Sequence, residues 1–508
     1  MATARLLCLL ISGAALASCA VGPNYRAPRT VTPDNFDAAN AQPAGVASAA
    51  PSIDYAQWWR ALNDPQLDSL IERAIRANPD IEIALTRLQE ARTQQAALLS
   101  DMLPEAGAGG GAGHGTGSDL ARGRAPQALV AADNTTGAGP IRQVVGFDGG
   151  WQIDLFGKYR REIEAARYDS QAAAWTRNAM LIAVVANVAR TYVDMRGLQM
   201  RLAIAQQEIA SAQQFRDFAQ ARYDRGITNE LDVTLADREL ATLRSQVAPL
   251  AAQISAVQYS LAVLLGQYPE ELITELTRPA VIPAIPRQVE PGLPLDLLRR
   301  RPDIQAAERE LAAATARIGA ARADLFPRLA VTAGAGAQSS SIGATGGSHI
   351  WSVGPSVYWP LLDFGSLDAL VSIADLQTHE RLVSYKRTVI DAVRDADTAI
   401  AEYAAQQDRL QNLEAAMVAS EHAVSLASQR YDRGLTDFLN VVDAERQEYE
   451  LESEYAVTQQ GAADTFVNLY RELGGGWEQY QDVPAIRRPL PAVLAIFRRL
   501  AVSDDPQR

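Results

Sequence analysis

The residue with the most specific covalent chemistry in this 508-residue chain is Cys19. Arg5 precedes an apolar stretch, Leu6 to Leu16, too short to span a bilayer but with the length and flanks of a secretory leader core. The stretch closes on Leu16-Ala17-Ser18-Cys19, and small residues before a cysteine fit a signal-peptidase pocket. This quartet resembles the bacterial lipobox, which implies cleavage after Ser18 and lipidation of Cys19; a plain signal peptide with an incidental cysteine is the alternative. Alanine at position 20 resembles lipoproteins sent on to the outer membrane. Cys8 leaves with the leader, so no thiol pair is left to form a disulfide.

Catalytic chemistry has little to work with. His114, His349, His379 and His422 are scattered and carry no HExxH, CxxC or GxSxG context. The glycines from Gly107 to Gly117 follow a helix ending at proline rather than a strand, which disfavours a phosphate cradle. No enzyme, metal site or cofactor is expected. One charged set stands out: Leu439, Asp443 and Arg446 are spaced by four and three and share a helix face. On its own this is an ordinary surface pair, weak in water. With 47 Lys+Arg against 60 Asp+Glu and a net charge of −13, the chain lacks the basic face that nucleic acid requires.

These residues sit in a chain that contains itself twice. Arg222-Tyr223-Asp224-Arg225-Gly226 recurs 208 residues later as Arg430-Tyr431-Asp432-Arg433-Gly434. At the same offset Trp151 matches Trp359, Gly157 matches Gly365, Arg238 matches Arg446 and Gly266 matches Gly474. Nearer the start of each copy, Pro79-Asp80-Ile81 matches Pro302-Asp303-Ile304 and Pro104 matches Pro327, at an offset of 223. The difference of 15 places an insertion in the first copy, within the tract from Gly107 to Gly139. Copies of this length make a duplicated domain rather than a solenoid. The resulting division is a leader (1–18), a tether and equatorial segment (19–77), a first repeat (78–266), a linker (267–300), a second repeat (301–474) and a tail (475–508).

Each repeat reads helix, strand, strand, long helix, helix. The first helix ends at Pro104 or Pro327. Strands are expected at about 105–115, 141–155, 328–339 and 350–361. In the last of these Trp351, Val353, Val357 and Trp359 alternate with Ser352, Gly354, Ser356 and Tyr358. Its partner alternates Val145, Phe147, Trp151 and Ile153 with Asp148, Gln152 and Asp154. Trp351 to Trp359 spans ~26 Å at ~3.3 Å per residue, close to the apolar band and aromatic girdles of a membrane barrel; a soluble hairpin with one buried face is the alternative. The spans 157–225 and 365–433 are free of proline and, as helices, run ~100 Å at 1.5 Å per residue. Val389, Ala396, Tyr403, Leu410, Met417, Val424 and Tyr431 recur every seven residues, as do Leu181, Val188, Met195, Leu202 and Ile209, a coiled-coil spacing. Each long helix breaks at its RYDRG, and Asn229 and Asp437 are placed to cap the helix that follows. No run of ~18 apolar residues follows the leader.

Four strands cannot close a barrel, and lipid tolerates no open sheet edge, so several chains must share one. Together with the lipobox and the opening Trp58-Trp59 and Asp64-Pro65-Gln66-Leu67, these features resemble the outer membrane factor family, the TolC and OprM channels of tripartite pumps. The resemblance implies a mainly helical chain with a membrane β-barrel, in a homotrimer sharing twelve strands and a long periplasmic α-barrel. It implies an outer-membrane exit channel for small molecules, with a periplasmic adaptor and an inner-membrane transporter as partners. It implies N-palmitoyl and S-diacylglycerol groups on Cys19. It also implies that Tyr431, Leu439, Asp443 and Arg446 line a periplasmic gate, with both RYDRG turns meeting the adaptor and Trp151, Trp351 and Trp359 forming the aromatic girdle. Leu235 stands where the first copy would repeat Asp443, so one carboxylate ring per trimer is expected. A type I protein-secretion channel of the same fold and a periplasmic coiled-coil adaptor are the competing readings.

Overall fold

The computed structural model of the chain describes residues 20–40, 53–113, 142–276, 278, 280–290, 292–339 and 348–480. Cys19, His114 and the tail beyond 480 lie outside the described residues. After a 3-10 segment at Tyr55–Leu62 the elements are α1 (Pro65–Ala77), α2 (Pro79–Asp101), β1 (Glu105–Gly113), β2 (Arg142–Ile153), α3 (Lys158–Asp224) and α4 (Glu230–Leu264). Two short helices, α5 (Pro269–Leu276) and α6 (Pro294–Arg300), form the linker. The second repeat supplies α7 (Pro302–Ala323), β3 (Arg328–Ser339), β4 (Ser348–Tyr358), α8 (Ser366–Asp432) and α9 (Phe438–Glu472).

The two copies share most of their punctuation. α3 and α8 are each 67 residues long and start on Gly157 and Gly365, at φ +82° and +83°, a backbone state that favours glycine. Both end on the glycine of RYDRG at φ +71°. There Ile227 N–H donates to Arg222 C=O and Leu435 N–H to Arg430 C=O, the longer-range bond of a Schellman cap. Asn229 caps α4 by accepting from Asp232 N–H, whereas Asp437 holds the cap position of α9 without a side-chain bond. At the other end, Asn78 Nδ2 donates to Leu264 C=O and Arg301 Nη1 to Glu472 C=O, so each repeat ties the start of its first helix to the end of its last by equivalent contacts.

Sheet order is β1-β2-β3-β4, antiparallel throughout. The two repeats thus meet edge to edge between β2 and β3. Shifting Glu105↔Gly150 by 223 and 208 gives Arg328↔Tyr358, the pair observed, and Gly113↔Arg142 becomes Gly336↔Ile350, also observed. The insertion in the first copy is therefore confined to 114–141.

The main core lies about midway along the long helices. Trp58, Trp59, Leu67, Leu70 and Ile71 pack on Leu181 to Met195 of α3, Val389 to Tyr403 of α8 and Phe466 to Trp477 of α9 and beyond. The heptad positions Leu181, Val188, Met195, Val389, Ala396 and Tyr403 are all buried there. This core also explains why α3 holds an 18-residue window of mean hydropathy 1.2, apolar enough by composition to cross a membrane: 56% of the window is buried inside the protein.

Candidate functional site

The sheet has one apolar and one polar face, set by pairing as well as by alternation. Across the strands Phe147 stands opposite Ala335 and Ala335 opposite Trp351; Trp151 opposes Val331, and Leu329 opposes Val357. The other face carries Asp148, Gly334 and Ser352 in one row and Gln152, Ala330 and Ser356 in another. Phe147 is 70% and Trp351 74% exposed, and Val145, Val353 and Val357 are exposed with them. A soluble hairpin would have buried this face; among the described residues nothing covers it. Trp151 and Trp359 are fastened differently from Trp351: their indole N–H groups donate to Met102 C=O (3.0 Å) and Leu325 C=O (3.1 Å), at the ends of the helices that enter each hairpin.

At the far end the two RYDRG turns lie side by side. Tyr431 is buried with Ala236 and Val441, meets Phe218 edge-on at 6.0 Å, and lies under the Arg222 guanidinium at 4.6 Å from its ring centroid. Arg222 and Tyr431 thus join the first and second repeats. Leu439, Asp443 and Arg446 lie on the other side of α9 from buried Val441 and are exposed. Asp443 accepts from Arg446 at 3.0 Å and from Gln447 at 3.1 Å. The structure brings Asp443 and Arg446 together and buries Tyr431 in the inter-repeat seam.

Higher up, α3 and α9 meet across a row of carboxyls. Glu208 is buried, and desolvation, with Glu452 and Glu239 nearby, pushes it up to about 7. Burial, with Glu448 beside it, takes Glu445 up to about 8. Burial and the neighbouring carboxylates thus favour the protonated forms of Glu208 and Glu445.

Missed in sequence is the strap formed by residues 20–40. It leaves the β2–α3 junction, where Ala20 abuts Gly157 and Val21 N–H donates to Phe156 C=O, and it descends across both repeats. Buried Arg161 holds it by donating to Val21 C=O, Gly22 C=O and Asn24 Oδ1. Gly22 crosses the Gly319 backbone so closely that it has no room for a side chain, and a Cβ on Gly319 would press on the Arg161 side chain. Tyr25 donates to Glu308, and Thr30 bonds Tyr385, before Phe36 enters the main core. The available signal was a departure from the duplication: where the first copy has Arg161 and the second copy's α7 has Gly319, the matching positions are Ala369 and Ala96.

A family model described as outer membrane efflux protein matches residues 70–267 and 293–475, which are the two repeats. The chain belongs to the outer membrane efflux protein family. It is 29% identical over 483 residues to the antibiotic efflux pump outer membrane protein ArpC of Pseudomonas putida, covering 94% of this chain and 96% of that one. It is 27% identical over 467 residues to the cation efflux system protein CusC of Escherichia coli, covering 92% and 97%. The solved outer-membrane channel OprN superposes with a TM-score of 0.79 at 34% identity, over 90% of this chain and all of that one. In this efflux-protein fold the four strands belong to the outer membrane and the paired long helices extend into the periplasm.

Proposed function

We propose that this chain is the outer-membrane exit duct of a tripartite efflux pump, a homotrimer that passively conducts small molecules, such as drugs, received from an inner-membrane transporter and a periplasmic adaptor. The observation that carries the reading is the four-stranded sheet, apolar and uncovered on one face, polar on the other, with both outer edges open. Three such sheets make a twelve-stranded barrel with a wet lumen, whereas one alone leaves backbone groups unpaired in lipid. Nothing in this role calls for catalysis. Trp151 and Trp359 form the inner aromatic girdle and Trp351 the outer one.

Lipidation of Cys19, with N-palmitoyl and S-diacylglycerol groups, is supported by the strap. Ala20 abuts Gly157 at the β2–α3 junction, so the strap starts where the sheet meets the long helix. At the opposite end, Leu439, Asp443 and Arg446 form the gate ring, with Tyr431 holding the hairpins behind it. The adaptor meets the exposed turn surface around Arg222, Tyr223, Asp224, Arg225 and Gly226 and around Arg430, Asp432, Arg433 and Gly434, where Ile227 and Leu435 are also exposed.

The test is reconstitution of the full-length chain in planar bilayers, alongside gel analysis of the detergent-extracted protein without heating. A trimer band and discrete channel currents are expected. A stable monomer that forms pores would overturn the shared barrel.

A further inference from the structure

We infer that a groove across α2, α3, α7 and α8 is a station on the inner wall of the duct that holds drug-sized zwitterions, molecules with an apolar body and one charge of each sign. This rests on the exit-duct reading above and deepens it, because it names a class of cargo that the wall itself engages.

The groove lies on the face of α3 that continues the wet side of the sheet. Gln152 shares the polar face of β2 with Asp148, and Tyr159 O–H donates to Gln152 Oε1 at 3.1 Å. From Tyr159, positions three, four or seven apart carry that face down α3 through Glu162, Asp169, Ala173, Thr176 and Met180. The main core packs on the opposite face of the helix, through Leu181, Val185, Val188 and Tyr192. In a ring of helices joined to the barrel, the face continuous with the lumen is the inner one.

The cavity measures about 510 Å³, within the range that holds a drug-sized molecule. Ile83 and Ala84 of α2, with Ala172, Ala173 and Met180 of α3, give it an apolar floor. Around the floor stand three acids, Asp80, Asp169 and Glu310, and three bases, Arg87, Arg317 and Arg381. Asp169 meets Arg317 at 2.5 Å and Glu310 meets Arg381 at 2.9 Å, in pairs whose side chains are 39–52% exposed. Ion pairs this wet hold little energy, so their members exchange readily for the charges of a ligand. Burial nevertheless raises the Asp169 carboxyl against the pull of Arg317 and Arg381, so the floor beside it is partly withdrawn from water. A ring of both signs complements a molecule of both signs, whereas a molecule of one sign meets like charges that repel it.

The duplication sets this groove apart from ordinary helix packing. At the offsets of 208 and 223, the other copy has Gln377 for Asp169, Thr388 for Met180 and Gln94 for Arg317. Ala172 and Ala173 become Glu380 and Arg381 there. The second set of positions has neither the Asp–Arg pair nor the apolar floor, so each chain carries one such station.

The test places the full-length chain in lipid nanodiscs with three fluorescent probes that share one apolar body: zwitterionic Nε-dansyl-lysine, cationic dansylcadaverine and anionic dansylglycine. The parent should bind the zwitterion at least about tenfold more tightly than either singly charged probe, and the double variant Asp169→Asn, Arg317→Gln should lose about tenfold in affinity for it. Gln377→Ala, at the matching position of the other copy, should bind like the parent. Equal affinity of parent and double variant for the zwitterion overturns the site, and equal affinity of the parent for all three probes overturns the ligand class. If the double variant does not run as an unheated trimer, Arg381→Gln on the second ion pair supplies the same comparison. In planar bilayers Nε-dansyl-lysine should add interruptions to the parent's current and none to the variant's. Binding without interruption overturns the assignment to the duct wall, whereas a parent that carries no current overturns the exit-duct reading itself.

Discussion

Replacing Tyr431 with alanine should loosen the periplasmic tip far more than removing the exposed Asp443–Arg446 pair. Tyr431 is 5% exposed, packed on Ala236 and Val441 and covered by Arg222 at 4.6 Å. Truncating a buried aromatic costs about 3–5 kcal/mol, and a cation–π contact contributes about 0.5–2 kcal/mol. The Asp443–Arg446 pair has both side chains more than half exposed and is worth at most about 1 kcal/mol within one chain. A local loss of about 3 kcal/mol corresponds to on the order of a hundredfold faster opening. Hydrogen exchange at the amides of 222–227 and 430–435 reads this directly in the assembled protein. Tyr431→Phe keeps the ring under Arg222 and should stay near the parent. If Tyr431→Ala exchanges within about threefold of the parent, the seam does not hold the tip, and the argument from burial fails.

The double variant Asp443→Ala, Arg446→Ala should raise single-channel conductance and leave the trimer and the tip's exchange rates intact, while Leu235→Ala does much less; unchanged conductance across ionic strengths would remove this set from the constriction. Cys19→Ser should abolish incorporation of labelled fatty acid, and label persisting on the variant would exclude Cys19 as the lipid site. Glu208 and Glu445 bind protons more tightly in the fold than at their ordinary value of 4.5, so their stabilisation is present below that pH and is lost as pH rises through about 7 to 8. Thermal melting should therefore occur at a higher temperature at pH 5.5 than at pH 8.5, with Glu208→Gln flattening the difference; a parent with the opposite slope would contradict the assigned protonation.

The sequence was most informative where structure is local. Proline before the first strand of each hairpin, glycine at Gly157, Gly226, Gly365 and Gly434, and a seven-residue apolar repeat act within a few turns of chain, so element order and helix length could be read in advance. The hairpin face pattern was equally legible, since alternation needs only one strand. What escaped were meetings between distant segments: β2 beside β3, Arg161 gripping residues near 22, and Tyr431 turning into the seam. In each case the residue types permit several partners, and only the crossing of faces chooses among them. Tyr431 illustrates the point, because its seven-residue spacing predicts burial but not the identity of the residues that bury it.

The bonds from Trp151 and Trp359 to the carbonyls at Met102 and Leu325 have a mechanical consequence. Indole rings prefer the boundary between hydrocarbon and headgroups, so they act as floats. Here each float is moored to the last turn of a helix rather than to a loop. A bilayer that thickens or thins shifts the preferred height of the rings, and the rings carry α2 and α7 with them. α2 packs on α3, and α7 packs on both α3 and α8, so the moored helices are in direct contact with the long ones. A change in bilayer thickness is therefore expected to act on the helices directly, through the two moored indoles, and not on the strands alone.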